Sequence, residues 1–291
     1  MQAIERGIFY EEAYLGVTVG GLVYSHGTVM IDSPLRMEDA RSWRSALLNQ
    51  RGGSNRILVT LDGHPDRTLG ARAMDCSIIA QQKTAQVFRN RPTIFKGQNI
   101  STGATWETYD EALGMRWTPP DITFSQRMSL HWGGPEIVLE HHPGPTAGSC
   151  WVIVPDEKVL FVGDTVVVQQ PVFLAHADLD VWIDSLNVLL EDFGEFTIIA
   201  GRGGIAQKKV VSALQQGLKK VMAEIDRLAK RNAPPEATEE LIPALLSEIK
   251  FDNELHDHYM NRLRYGLFQY YARHFRPASS LEQPEIEENE E

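Results

Sequence analysis

The stretch VTLDGHPDRTLGA, residues 59–71, begins as a β-branched apolar run and turns at once into a polar loop. Asp62, His64 and Asp66 are spaced like the donors of a metal-binding loop. Arg67 breaks the series, because a guanidinium offers only N–H donors and stays protonated. Three more places repeat the pattern of an apolar strand running into a polar loop: HHPGPTAGS at 141–149, FVGDT at 161–165 and AGRGG at 200–204. Strand-end loops that converge on one rim are how layered sheet proteins build sites. Each loop alone is a weak signal; the ordered set is specific.

Around these loops the chain alternates strand and helix signals. Residues 14–31 carry short β-branched runs punctuated by Gly20-Gly21 and His26-Gly27, a β-meander pattern. IDSP follows, then MEDARSWRSALLNQ with helical periodicity. Residues 90–120, rich in Pro, Gly, Thr and Trp, read as a surface excursion. Strand signals return at 122–124, 136–140, 150–154, 159–162 and 196–200, with a helix at 180–191. Beyond Gly204 the pattern is helical, with amphipathic stretches at 206–232, 238–250 and 254–274. Lys208, Lys219 and Lys230, with Lys209, Lys220 and Arg231, lie opposite the apolar face of the first of these and read as a solvated stripe.

Bulk composition narrows the function classes. With 43% hydrophobic and 23% charged residues, the chain has the makings of a sizeable core. No apolar run approaches membrane-spanning length. Cys76 and Cys150 sit in apolar stretches and read as reduced core thiols, so a cytoplasmic protein is expected. The net charge is -11, and EQPEIEENEE at the end supplies six of the glutamates. That segment reads as a disordered acidic tail, and the acidic balance argues against a nucleic-acid partner.

The order IDSP, VTLDGHPDR, HHPGPTAGS, KVLFVGDT, IIAGRGG resembles the metallo-β-lactamase-fold superfamily over roughly residues 14–204. The resemblance implies an α/β fold, a four-layer αββα sandwich at 1–205. A helical extension at 206–279 would pack on it, and the acidic tail would occupy 280–291. It also implies a metal edge with two zinc or iron ions held by loops of the form HxHxDH, PGHTxGS, GD and PGHG. Carried over position by position, those ligands fall on Asp62, His64, Asp66, Arg67, Pro145, Asp164 and Arg202. His64, Asp66 and Asp164 match the family ligand, and Asp62 exchanges nitrogen for oxygen. Pro145, Arg67 and Arg202 cannot ligate.

A guanidinium about 4 Å from a divalent ion, at an effective dielectric near 20, repels it by roughly 8 kcal/mol before screening. A dinuclear centre is therefore not expected, and neither is a metal cofactor. The reading that follows is a non-catalytic or metal-free homologue whose former site is an Arg/Asp salt-bridged cluster. Two other readings stand beside it. One is a hydrolase with a single Zn, Mn or Fe ion on Asp62, His64 and Asp164. The other is a metal-free pocket that clamps an anionic small molecule through Arg67 and Arg202. His142, beside His141, and His176, on the loop after GDT, are pocket candidates that would replace a lost ligand. The aromatic stretch 254–274 is expected to make a homodimer contact or a lid over the site.

Overall fold

Alternation along the strands decides the layers. The computed structural model describes residues 1–275, so the expected acidic tail lies outside the described residues. One sheet contains β1 (Gln2–Glu5), β2 (Ile8–Glu11), β3 (Val19–Val23), β4 (Gly27–Ile31), β5 (Asn55–Thr60), β6 (Ser77–Gln81) and β7 (Ile122–Phe124), in that spatial order. Strands β1 to β4 are antiparallel, and β4 to β7 are parallel. The second contains β8 (Arg127–Leu130), β9 (Ile137–His141), β10 (Cys150–Val154), β11 (Val159–Phe161), β12 (Thr197–Ile199) and β13 (Ile205–Ala206). It runs in order from β13 back to β8, and only its β11–β12 pair is parallel. The helices are α1 (Met37–Leu48), α2 (Pro65–Thr68), α3 (Gln82–Arg89), α4 (Leu179–Glu191), α5 (Lys208–Lys230), α6 (Ile242–Ser247) and α7 (His256–Phe275).

Side chains on a strand point alternately to its two faces, and here the central strands of both sheets are buried on both faces. Val29 and Ile31 of β4, Ile57 and Val59 of β5, and Val152 and Val154 of β10 meet in one core between the sheets. Their neighbours Met30 and Leu58 turn outward onto Trp43 and Leu47 of α1. Trp151, Ile153 and Leu160 turn outward onto α4, α5, α6 and α7, where Leu186, Val211, Leu218, Leu246 and Leu267 are buried. Helix, sheet, sheet, helix: the four-layer αββα sandwich expected from the sequence is the observed architecture.

The helices after residue 205 lie on the second sheet and share its outer core. Residues 238–250 form less helix than their periodicity predicts: a 3-10 turn at Pro235–Leu241 leads into the short α6. Pro235 and Pro243, which lack backbone N–H groups, shorten the regular stretch. Lys208, Lys209, Lys219, Lys220, Lys230 and Arg231 are all exposed. Cys76 and Cys150 are free thiols, the latter fully buried. Among the described residues no helix is long and apolar enough to cross a membrane.

Two departures bear on the site. The strands β1 and β2 precede the meander and extend it, and residues 14–31 contribute two strands, β3 and β4. The larger correction concerns residues 90–120. This segment has little regular structure, yet Phe95, Ala104, Trp106 and Ala112 are buried against Leu35 and Leu69. It is a packed cover over the strand ends. Its own aromatic pairs, Phe95 with Trp106 and Phe95 with Trp117, give it a core that needs no long helix or strand.

Candidate functional site

Four strands end at one edge and deliver the polar loops there. Asp32 follows β4, the 62–67 loop follows β5, Asp164 follows β11, and Arg202 follows β12. In each parallel pair, β4 with β5 and β11 with β12, both strands point the same way, so their C-terminal loops emerge together. The β11 and β12 loops touch backbone to backbone. Gly201 N donates to Gly163 O at 2.7 Å, and a Cβ on Gly201 would lie 2.6 Å from Asp164 N. Only glycine permits that approach. It sets Arg202 directly beside Asp164.

Arg67 sits at the centre, with no exposed surface. Its Nη1 donates to Asp32 Oδ2 at 2.5 Å, its Nη2 donates to Asp164 Oδ1, and its Nε lies 3.1 Å from Asp62 Oδ1. One guanidinium thus faces three carboxylates. Arg202 Nε donates to Asp164 Oδ1 at 3.1 Å and its Nη2 to Asp164 Oδ2 at 3.1 Å, a fork on one carboxylate. Its Nη1 reaches Asp66 Oδ2 at 2.7 Å. Asp66 also accepts from the backbone of the cover: Trp106 N at 2.7 Å and Thr105 N at 3.1 Å. The carboxylate that the resemblance assigns to a metal therefore ties the 90–120 segment to the cluster.

His64 is held as a neutral ring. Its Nδ1 accepts from Asp66 N at 3.2 Å and stands 3.3 Å from Arg202 Nη2, itself only a donor. An Nδ1 that accepts carries no proton, so the ring hydrogen is on Nε2. Burial, against the pull of Asp66 and with the repulsion of Arg202, lowers its pKa to about 3. Asp66 shows the opposite balance. Burial would raise it, but nearby donors and cations hold it at about 2. Because His64 is neutral at pH 7, Arg202 and the two backbone N–H groups carry that effect there. Asp164, between two guanidiniums, is pushed well below the usual carboxylate range despite its burial.

Asp32 was not singled out from the sequence, although IDSP was read as part of the ordered set. It has a left-handed backbone, φ 56°, and no exposed surface. Its Oδ1 accepts from Leu61 N at 2.9 Å. Burial lifts its pKa to about 7, with the charge of Asp62 adding to the rise and Arg67 opposing it. Asp62 is raised as well, by burial first and by Asp164 among its neighbours. Four carboxylates around two guanidiniums leave an excess of negative charge. A proton on the Asp32–Asp62 side of Arg67 is the physical response.

The other sequence candidates divide. Pro145 and His176 line a cavity of about 330 Å³ at the same edge, together with His64. His142 does not. Its ring stacks on Trp151 at 3.6 Å and its Nε2 lies 3.2 Å from Glu140 Oε2. His141 Nε2 is within 2.9 Å of Ala147 O. Neither histidine replaces the missing ligand at Pro145. Arg67 and Arg202 are absent from the cavity wall, which corrects the reading in which they present themselves to a ligand. Their donors point inward to carboxylates. Among the described residues no group of three or more His, Cys, Asp or Glu is placed to hold a metal ion, and this includes Asp62, His64 and Asp164.

Phe173 is a site residue that no sequence signal marked. It stacks 4.5 Å from the Arg202 guanidinium carbon and 4.0 Å from that of Arg262, with the His64 ring 4.4 Å away. Arg262 comes from α7, more than fifty residues beyond the last strand-end loop, and is 2% exposed. It donates to Gly103 O at 2.8 Å and Pro171 O at 3.0 Å, carbonyls rather than carboxylates. Burial and the like charge of Arg202 lower its pKa to about 9.

The family model of the metallo-beta-lactamase superfamily matches residues 71–199. The chain is a metallo-β-lactamase-fold protein. The metallo-beta-lactamase from Pontibacter korlensis is 17% identical, with a TM-score of 0.59 over 75% of this chain and 97% of its own. DIM-1 metallo-beta-lactamase is 18% identical, with a TM-score of 0.57 over 75% of this chain and 96% of its own. The stereoselective inverting sec-alkylsulfatase Pisa1 from Pseudomonas sp. is 13% identical, with a TM-score of 0.64. There 97% of this chain is covered, helices after 205 included, but only 52% of the alkylsulfatase. No curated protein matches the sequence. At these identities the shared feature is the fold, so the function of this metallo-β-lactamase-fold protein must come from its own residues.

Proposed function

We propose that this metallo-β-lactamase-fold protein has exchanged a dinuclear metal centre for two permanent organic cations and serves as a binding protein rather than a metallohydrolase. One observation carries the reading: both oxygens of Asp164, the position that bridges metals in the family, accept hydrogen bonds from guanidiniums. A divalent ion at that place would stand within a few ångströms of Arg67 and Arg202, which repel it and cannot lose their charge. The donor set does not fit the metal, and no hydrolytic step is assigned to one. Asp62, His64 and Asp164 as a single-ion site meet the same objection, since Asp164 has no oxygen free of a cation. The homodimer expected through α7 has less surface to draw on, because Tyr259, Leu263, Leu267, Tyr270 and Tyr271 are buried within the chain; light scattering tests it.

Elemental analysis of the purified protein tests the exchange. The expected result is far less than one zinc, iron or manganese per chain. Near-stoichiometric metal would overturn the proposal in favour of the single-ion enzyme. The converse test restores the ligands with Asp62→His, Arg67→His, Pro145→His and Arg202→His together. Where the refolded variant keeps the backbone, it should take up zinc, read by elemental analysis after dialysis.

A further inference from the structure

Two cavities and one buried cation network lie outside the Asp/Arg cluster. The larger cavity, about 480 Å³ between α5, α6 and the 167–174 loop, is mainly apolar, and nothing in the structure says what would fill it. The cavity at the strand ends is different, because its wall has a sign. Arg91, Arg262 and Arg273 line it, with the rings of His64 and His176, and none of its lining residues is acidic.

Arg91 is the distinctive group. It follows α3 and packs its guanidinium 4.3 Å from the Trp117 ring and 5.3 Å from Phe88. Its Nη1 is buried and has no hydrogen-bond partner. Arg36, Arg44 and Arg67 each carry an unpaired buried Nε as well, but of these arginines Arg91 alone borders the cavity, and an unpaired donor on a charged group asks for an acceptor. Burial lowers the pKa of Arg91 to about 10, with Asp62 the charge that partly offsets it. It therefore stays a cation at neutral pH. Arg273, at the exposed mouth, spends one nitrogen on Ala177 O at 2.6 Å. His64, with its ring hydrogen on Nε2, borders the same space. Trp106, Phe173 and Leu174 supply apolar wall between these donors. The volume falls at the small end of ligand pockets.

From this we infer that the cavity is a metal-independent site for a small organic oxyanion, one charged carboxylate, sulfate or phosphate head on an apolar body, with Arg91 as its main anchor and Arg273 at its mouth. The inference rests on the metal-free reading but moves the binding cations. Arg67 and Arg202 are bound to aspartates, whereas Arg91 borders an acid-free cavity with no aspartate on its guanidinium. A planar guanidinium matches two oxygens of such a head at once, and the apolar wall favours a ligand body over bare inorganic anion.

The test is calorimetric titration of the full chain with phenyl phosphate, benzoate, inorganic phosphate and phenol, with and without EDTA. Phenyl phosphate or benzoate should bind, more tightly than inorganic phosphate, while phenol should give no heat. EDTA should leave the affinity unchanged. Arg91→Gln should weaken binding by about tenfold or more, Arg91→Lys by less, and Arg273→Gln by an intermediate factor, each with an unchanged melting profile by circular dichroism. Whichever head binds better, phosphate or carboxylate, assigns the natural class. Absence of binding by all of the charged probes, or equal affinity in the wild type and Arg91→Gln, would overturn the inference while leaving the metal-free reading intact. Binding abolished by EDTA, with metal found by elemental analysis, would overturn both.

Discussion

Arginines at one edge of this protein live in two environments. Arg67 and Arg202 are fully buried and form ion pairs with Asp32, Asp62, Asp66 and Asp164. Arg91 has aromatic rings on its faces and no carboxylate partner at hydrogen-bond distance, and Arg262 binds carbonyls. The first pair raises its own pKa by ionic contact, while Arg91 and Arg262 are lowered by burial. A cation surrounded by aspartates is a structural part, and its removal strands charges. A cation without a counter-charge is held at a cost and is available to a ligand. The contrast separates what holds the old metal edge together from what that edge can still bind.

The largest effect should come from breaking the paired side. Arg67→Met leaves three buried carboxylates facing an apolar side chain, so unfolding free energy should fall by roughly 3–5 kcal/mol. Arg202→Met should lose less, because Asp66 keeps its two backbone donors. Urea unfolding followed by circular dichroism measures both. A loss below about 1 kcal/mol for Arg67→Met would mean that protonation of Asp32 and Asp62 absorbs the missing charge, and the structural role assigned to Arg67 would fall.

Acid should act on the same pairs more gently. The pKa of Asp66 is depressed in the fold to about 2. Such a group adds stability that is present above its unfolded value near 3.9 and is lost as pH falls through the folded value. Stability should therefore drop between about pH 4 and pH 2, by on the order of 2–3 kcal/mol from this residue. Asp32, raised to about 7, has the opposite sign. Its contribution is full below its unfolded value and is lost as pH rises through 7. His64, lowered to about 3, is protonated in the unfolded chain below about pH 6.5 and only later in the fold. It therefore opposes the Asp32 limb between about pH 4 and 6.5 and leaves stability nearly level there, with the fall below about pH 4 on the Asp66 limb. Asp66→Asn should flatten the acid limb alone; a limb of unchanged slope in that variant would remove Asp66 as its cause.

Much of the paired side was legible in the sequence, and little of the unpaired side was. Asp62, His64, Asp66, Arg67, Asp164 and Arg202 each stand just after an apolar strand run, where period-two patterning gives a clear end point. Strand ends in a layered fold share a rim, so placing them together needed only the order of the loops. Asp32 stands in the same kind of position, yet a lone carboxylate in IDSP carries no spacing signal. The cover at 90–120 gave no periodicity because its core is built from aromatic side chains in irregular backbone. Its link to the site runs through backbone N–H groups of Thr105 and Trp106, which no residue type can announce. His142 misled for a local reason. It follows directly on β9, and its ring stacks on Trp151 instead of entering the cavity. Arg91, Arg262 and Arg273 come from the end of one helix and the length of another, and only tertiary packing joins them.

The smallest expected effect is the sharpest test of the contrast. Arg91→Met removes a cation from beside Trp117 and replaces it with an unbranched apolar chain that can occupy the same space. Two terms oppose each other. The contact of guanidinium with ring is worth about 0.5–2 kcal/mol, depending on how dry it is. Against it stands the cost of keeping a charged group buried with Nη1 unpaired, which is of similar or larger size and disappears in the variant. The distant attraction to Asp62 is a further loss, but it is shared, since Arg67 lies closer to that carboxylate. Stability should change by less than about 0.5 kcal/mol, or rise. The same substitution at Arg67 should cost several times more in the same urea assay. If Arg91→Met lost as much as Arg67→Met, Arg91 would be a counter-charge like the other two, and the division between a structural pair and a ligand-binding wall would collapse.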